Sequence, residues 1–350
     1  MIRWIVLLSM VCLVSLESRS QTPTPQKPTL SPEKLGYLSH NIDDPQLGTV
    51  NYYVRNPEND PTKPLILYLD GSGPYPLYQR MKQGFGSTVL IQDKQLLAKF
   101  NLVLISKPGV PFVDDIEMDK TTGMPNYDPP EEYTRRLSLD WRVDSAKRVI
   151  EELLGKQGLK PKQLIVVGIS EGFQVGAKPA TIEPRITHVG LFVGNGLNQF
   201  YDFTIAERMK AERGEQSPTD TQVRIENLIR TAQEIYAEPE ATEKNWMGHT
   251  YKRWASFTSS DPLEFLLEVK SPIFVACCSL DKNTSIVSAD YIPLEFAKRS
   301  RTNLTYRVYP YEHSFIERIF GENGQATGME SHFGDVFNEF VVWLETQGGR

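Results

Sequence analysis

Several short runs in this chain are apolar at every position, and that limits the fold more than any other feature. Leu65–Leu69 (LILYL), Leu102–Ile105 (LVLI), Leu164–Val167 (LIVV) and Ile273–Cys278 (IFVACC) show no polar alternation. A strand with one wet face alternates, whereas a strand covered on both faces does not. Less uniform strand runs are Thr49–Val54, His188–Gly194 and Thr305–Pro310. Helical spacing fills the intervals. Trp141, Ala146, Val149, Ile150, Leu153 and Leu154 share one face, and so do Phe333, Val336, Phe337, Phe340, Val341 and Leu344. Strands alternating with amphipathic helices predict an α/β fold, with a mostly parallel central sheet flanked by helices.

One interval breaks the alternation. Residues 197–270 contain no strong strand run. Ser217, Pro218 and Asp220 open a helix whose apolar positions are Ile225, Leu228, Ile229, Ala232, Ile235 and Tyr236. Trp246, Tyr251, Trp254 and Phe257 follow, either lining a substrate pocket or fastening the segment to the core. The segment is expected to be a helical cap inserted in the sheet domain, whose two parts are 49–196 and 271–350.

The amino terminus is of another kind. Arg3 precedes the apolar run Trp4–Leu16, and Ser18 and Ser20 suit cleavage after Ser20. The pattern predicts a signal peptide over 1–20 and a secreted or periplasmic protein with no stable membrane anchor after cleavage. A retained anchor is the alternative, for which the run is short. Val11 makes Cys12 a poor lipidation site. Residues 21–48, which include the Pro/Thr-rich stretch 22–32, read as a leader. Two cysteines remain after cleavage, Cys277 and Cys278, adjacent in a strand and expected to be reduced. The formal net charge of −6 gives no reason to expect nucleic acid or an anionic membrane as partner. No cysteine or histidine spacing suggests a metal, and no cofactor motif is present.

The apolar run Leu164–Val167 leads directly into Gly168-Ile169-Ser170-Glu171-Gly172. A serine hydroxyl is a weak nucleophile that needs exposure and a nearby base. A tight strand-to-helix turn supplies the exposure, provided that the residues two before and two after are small. The helix that follows aims its first N–H groups at the site, that of Glu171 foremost.

On this motif the chain resembles the α/β-hydrolase superfamily, from about Thr49 to the last helix. The Glu after the serine is similar to that of serine esterases and aminopeptidase-like members. The resemblance implies a triad in the order Ser, acid, His. Ser170 would be the nucleophile, Asp281 after a late strand the acid, and His313 in the following loop the base. Asp281 has a turn aspartate as its alternative reading, and His332 is the rival base, at the start of the last helix. His188 falls in or beside a strand, His40 precedes the sheet, and His249 is a possible pocket residue. The resemblance also implies an oxyanion hole from the N–H groups of Glu171 and Ser72, with Gly71 and Gly73 as alternates to Ser72. Asp70 stands where many members carry His. Asp114, Asp115 and Glu117 would either bind a substrate amino group or be solvated. The activity implied is hydrolysis of a small ester or peptide substrate without a cofactor; the oligomeric state is not implied.

Overall fold

The computed structural model describes residues 30–56, 58–82, 84–119 and 125–347. The expected signal peptide at 1–20 lies outside the described residues, as do residues 21–29 of the leader. Among the described residues no helix is long and apolar enough to cross a membrane.

The central sheet has eight strands. They are β1 (Leu38–Asp44), β2 (Gly48–Arg55), β3 (Leu65–Leu69), β4 (Asn101–Ile105), β5 (Leu164–Ile169), β6 (His188–Phe192), β7 (Ile273–Cys278) and β8 (Leu304–Tyr309). Their spatial order is β1-β2-β4-β3-β5-β6-β7-β8. The β1–β2 and β2–β4 ladders are antiparallel, and those from β4 through β3 to β8 are parallel. This is the mostly parallel sheet of the α/β-hydrolase fold expected from the sequence. One boundary needs correction. The 21–48 leader ends sooner than expected, because Leu38–Asp44 forms β1. This edge strand escapes notice because only Ile42 in it is buried, so its sequence carries no apolar run.

Alternate residues of the apolar strands feed two cores. In β5, Leu164 and Val166 enter the core on one face, while Ile165, Val167 and Ile169 enter the other. The first face is covered by α1 (Leu139–Glu151), whose Ser138 caps the helix by accepting the Trp141 N–H at 3.0 Å. It buries Trp141, Ala146, Val149 and Ile150, as the spacing predicts. Helix α2 (Glu171–Ala177), which follows β5, shares this face.

Between β6 and β7 lie α3 (Gln199–Glu212), α4 (Pro218–Ala237), α5 (Tyr251–Thr258) and α6 (Pro262–Glu268). Ser217 caps α4 as expected, and Ile225 and Ile235 are buried. Ile229 and Tyr236, placed on the apolar face by spacing, are exposed instead, because α4 packs along a narrower stripe. The aromatic group divides. Phe257 is buried in the main core, Trp254 is buried in a separate cluster with Phe200 and Ile235 against which Tyr251 packs, and Trp246 packs on that cluster and borders a cavity.

On the opposite face runs α7 (Phe333–Gln347), which buries all six predicted residues. Phe340 packs against Gly190 of β6 so closely that a Cβ there would sit 2.6 Å from the ring. It also meets Phe192 edge-on at 5.6 Å. Deleting this ring should leave a void between sheet and helix. Phe340→Ala is expected to lower stability by about 3–5 kcal/mol, read from the denaturant midpoint.

Candidate active site

The end of β5 is forced into a narrow turn. Ser170 has φ 56° and ψ −118°, a backbone state that non-glycine residues avoid. Its N–H donates to the Phe192 carbonyl at 3.0 Å, which ties the turn to β6. A Cβ on Gly168 would lie 2.0 Å from the Gly172 carbonyl oxygen. One on Gly172 would lie 2.0 Å from that of Leu69. Both glycines are therefore required by backbone contact, as the motif predicts. Glu171 opens α2, so its N–H has no carbonyl one turn earlier to bond.

The structure brings Ser170, His313 and Asp281 together. The Ser170 Oγ and His313 Nε2 are 3.1 Å apart. The His313 Nδ1 and Asp281 Oδ2 are 2.7 Å apart. Asp281 is also the turn aspartate of its alternative reading. Its Oδ1 accepts the N–H groups of Asn283 at 2.7 Å and Thr284 at 3.0 Å, and its Oδ2 accepts the Thr284 hydroxyl at 2.6 Å. Burial would raise this carboxyl, but the His313 imidazole and the Thr284 hydrogen bonds outweigh it and hold it below its ordinary value. The loop carrying His313 is tight, with positive φ at Ser314 and Phe315. The fully buried Phe315 ring anchors it against Phe192 and Phe333.

Three of the other four histidines are engaged elsewhere. His332 pairs with Glu317 at 2.8 Å and stacks on Tyr311. His188 is buried edge-on to Trp343, and His40 stacks on Tyr52. His249 lies near Trp254; burial, helped by the Arg253 charge, pushes its imidazole down to about 3.

The loop after β3 reaches Ser170 through Gly71, where a Cβ would lie 3.4 Å from the serine Cβ. Ser72 follows at the next position, and Gly73 has φ +92°. Of the loop acids, Glu117 is exposed, and Asp114 and Asp115 are half-exposed with partners inside the protein. Asp115 pairs with Arg80 at 2.7 Å, and Asp114 accepts the Tyr127 hydroxyl at 2.9 Å. Among the described residues no cluster of His, Cys, Asp or Glu is arranged to hold a metal.

Sequence reasoning missed a buried chain of charges beneath the turn. Lys107 Nζ lies 2.6 Å from Asp70 Oδ2, and Asp70 Oδ1 lies 2.6 Å from Arg142. Arg142 reaches one Glu171 oxygen at 2.8 Å, and Arg253 of α5 reaches the other at 2.6 Å. All five side chains are at most 4% exposed. Burial alone would raise Glu171, but Arg253, Arg142 and Lys107 hold it down at about 2. A signal was available. Asp70 and Lys107 each follow an apolar strand, and β3 and β4 are parallel neighbours, which sets their ends side by side. Removing one member of a buried pair strands the other. Arg142→Leu should cost about 3–5 kcal/mol in denaturant unfolding. Arg148→Leu, on the same helix but half-exposed, should cost at most about 1 kcal/mol.

Asp202 of α3 is a second buried carboxyl, 2% exposed and bonded to the Asn195 amide. Burial, with the nearby Asp281 charge, raises it to about 8. The unfolded chain releases this proton near pH ~3.9 and the folded chain near 8, so folding holds the proton between those values. Its contribution to stability falls as pH rises through that window. The stability of Asp202→Asn relative to wild type should therefore increase from pH 5 to pH 8, as read from thermal midpoints.

No protein-family model and no curated protein matches the chain. Solved structures do align with it. A puromycin-hydrolyzing peptidase of Mycobacterium tuberculosis aligns at 15% identity over 79% of this chain and 36% of its own, with a TM-score of 0.47. An acylaminoacyl peptidase of Pyrococcus horikoshii aligns at 12% identity over 79% and 37%, also at 0.47. An esterase of Pyrococcus furiosus aligns at 13% identity over 83% and 90%, at 0.44. The chain spans little more than a third of the length of these two peptidases.

Proposed function

We propose that the chain is an exported serine hydrolase that cleaves a carboxylic ester, or a small amide, through an acyl-enzyme on Ser170. The observation that carries this reading is the continuous path from the Ser170 hydroxyl through the His313 ring to the Asp281 carboxylate, at 3.1 and 2.7 Å. The strained backbone at Ser170 supports it, since a tight strand-to-helix turn of this kind lifts the hydroxyl to where a substrate can reach it. Residues 1–20 direct export in this reading.

The Ser170 oxygen attacks the substrate carbonyl as its proton passes to His313 Nε2. The carbonyl π electrons move onto oxygen, which the N–H of Glu171 and an N–H of the Gly71–Ser72 loop stabilise. Collapse breaks the bond to the leaving alcohol or amine, which takes the proton from His313. Water then attacks the acyl-enzyme, giving its proton to the same nitrogen. The acid departs as Ser170 regains its hydrogen. Asp281 stays a carboxylate throughout, fixing the ring and balancing the transient imidazolium.

The ester reading is preferred to an aminopeptidase-like one because Asp114 and Asp115 are engaged by Tyr127 and Arg80. A non-catalytic binding protein on this fold is the remaining alternative, and a reactive probe separates it. Wild-type protein should be labelled covalently by a fluorophosphonate, and Ser170→Ala should not. Asp281→Asn should lower kcat by about 10⁴-fold on any ester turned over. Folded wild-type protein that takes no label and hydrolyses no acyl ester would overturn the proposal.

A further inference from the structure

A cavity of about 330 Å³ is formed by α3, α4, the turn carrying Trp246 and Met247, and the residues after Asp281. Phe203, Leu228, Trp246 and Met247 give it a mainly apolar wall. Two hydrogen bonds tie its lining to the group described above. Lys282 and Asn283 line it, and the Asn283 N–H donates to Asp281 Oδ1 at 2.7 Å. Gln199 also lines it, and its Oε1 accepts a hydrogen bond from Arg253, the residue that holds Glu171 beside Ser170.

We infer that this cavity receives an apolar part of the substrate, about the size of two fused rings or of one ring on a short chain. The inference rests on the serine-hydrolase reading and names its substrate class. Size comes from the volume: a dry apolar cavity of about 150 Å³ accepts benzene, and this one is roughly twice as large. Three charged side chains also border it. Glu207 is held by Lys210 at 3.0 Å and Gln216 at 2.8 Å and lies 3.9 Å from Arg224, and Lys282 is the third. Aromatic walls favour a flat ring, which stacks offset or edge-on against Trp246 and Phe203, themselves edge-on at 5.7 Å.

The test compares three esters: ethyl acetate, ethyl 3-phenylpropanoate with the ring on the acyl side, and 2-naphthyl acetate with rings on the alcohol side. Leu228→Trp fills the cavity, and Met247→Ala widens it from a partly exposed turn that tolerates substitution. The ratio of kcat/KM for at least one aryl ester over ethyl acetate is expected to fall tenfold or more in Leu228→Trp. Should that variant fail to fold, Met247→Ala supplies the readout, changing the same ratio at least threefold. Ratios within twofold of wild type in every folded variant overturn the inference and leave the hydrolase reading standing. Binding of 2-naphthol to Ser170→Ala, followed by naphthol fluorescence, separates the two claims. If the wild type takes no fluorophosphonate label and hydrolyses none of the three esters, yet naphthol binds Ser170→Ala and tenfold more weakly after Leu228→Trp, the hydrolase reading falls and the cavity remains only a site for an apolar ligand.

Discussion

The backbone contact at the end of β5 is the constraint from which the rest of the site follows. Strand and helix meet so closely that Gly168 lies against the Gly172 carbonyl and Gly172 against that of Leu69. No side chain fits in either gap. The chain can turn there only if Ser170 takes up the strain, and this lifts its hydroxyl out of the sheet. β3 is held at the same point, because the oxygen facing Gly172 belongs to its last residue. One close approach thus fixes the serine, the start of α2 and the loop after β3 relative to one another.

Charge reinforces this geometry from below. In the proposed reaction, a carboxylate beside Ser170 would oppose the negative charge that develops on the substrate oxygen. Glu171 avoids this because two guanidinium groups meet its oxygens, one from α1 and one from α5. The chain continues through Asp70 to Lys107, so the ends of β3 and β4 belong to the same network. Arg253 in addition lies over the rings of Trp254 and Phe257, which shield its pairing with Glu171 from water.

Most of the architecture was legible because covered strands and amphipathic helices leave periodic traces. β5, β7 and α7 could be read directly for this reason. β1 could not, since an edge strand with one buried residue resembles a loop. The hairpin of Ile316–Phe320 and Ala326–Ser331 was missed on the same grounds, being mostly exposed. Ser170, Asp281 and His313 were legible from a motif and an order along the chain. The ion chain was legible only at Asp70 and Lys107, which follow covered strands, because Arg142, Glu171 and Arg253 are distant in sequence and no local pattern marks their charges as buried. Ile229 and Tyr236 show the converse: periodicity assigns a face without telling how wide a stripe the partner helices will cover.

Arg253 arrives late in the chain, long after the strands and the helix that it completes. During synthesis the nucleophile turn emerges first, with Arg142 as the earlier guanidinium for Glu171. Its second countercharge follows only when α5 has been made and docked. The setting of the Glu171 carboxylate is thereby tied to attachment of a distant helix, and until α5 docks one of its oxygens lacks its guanidinium partner.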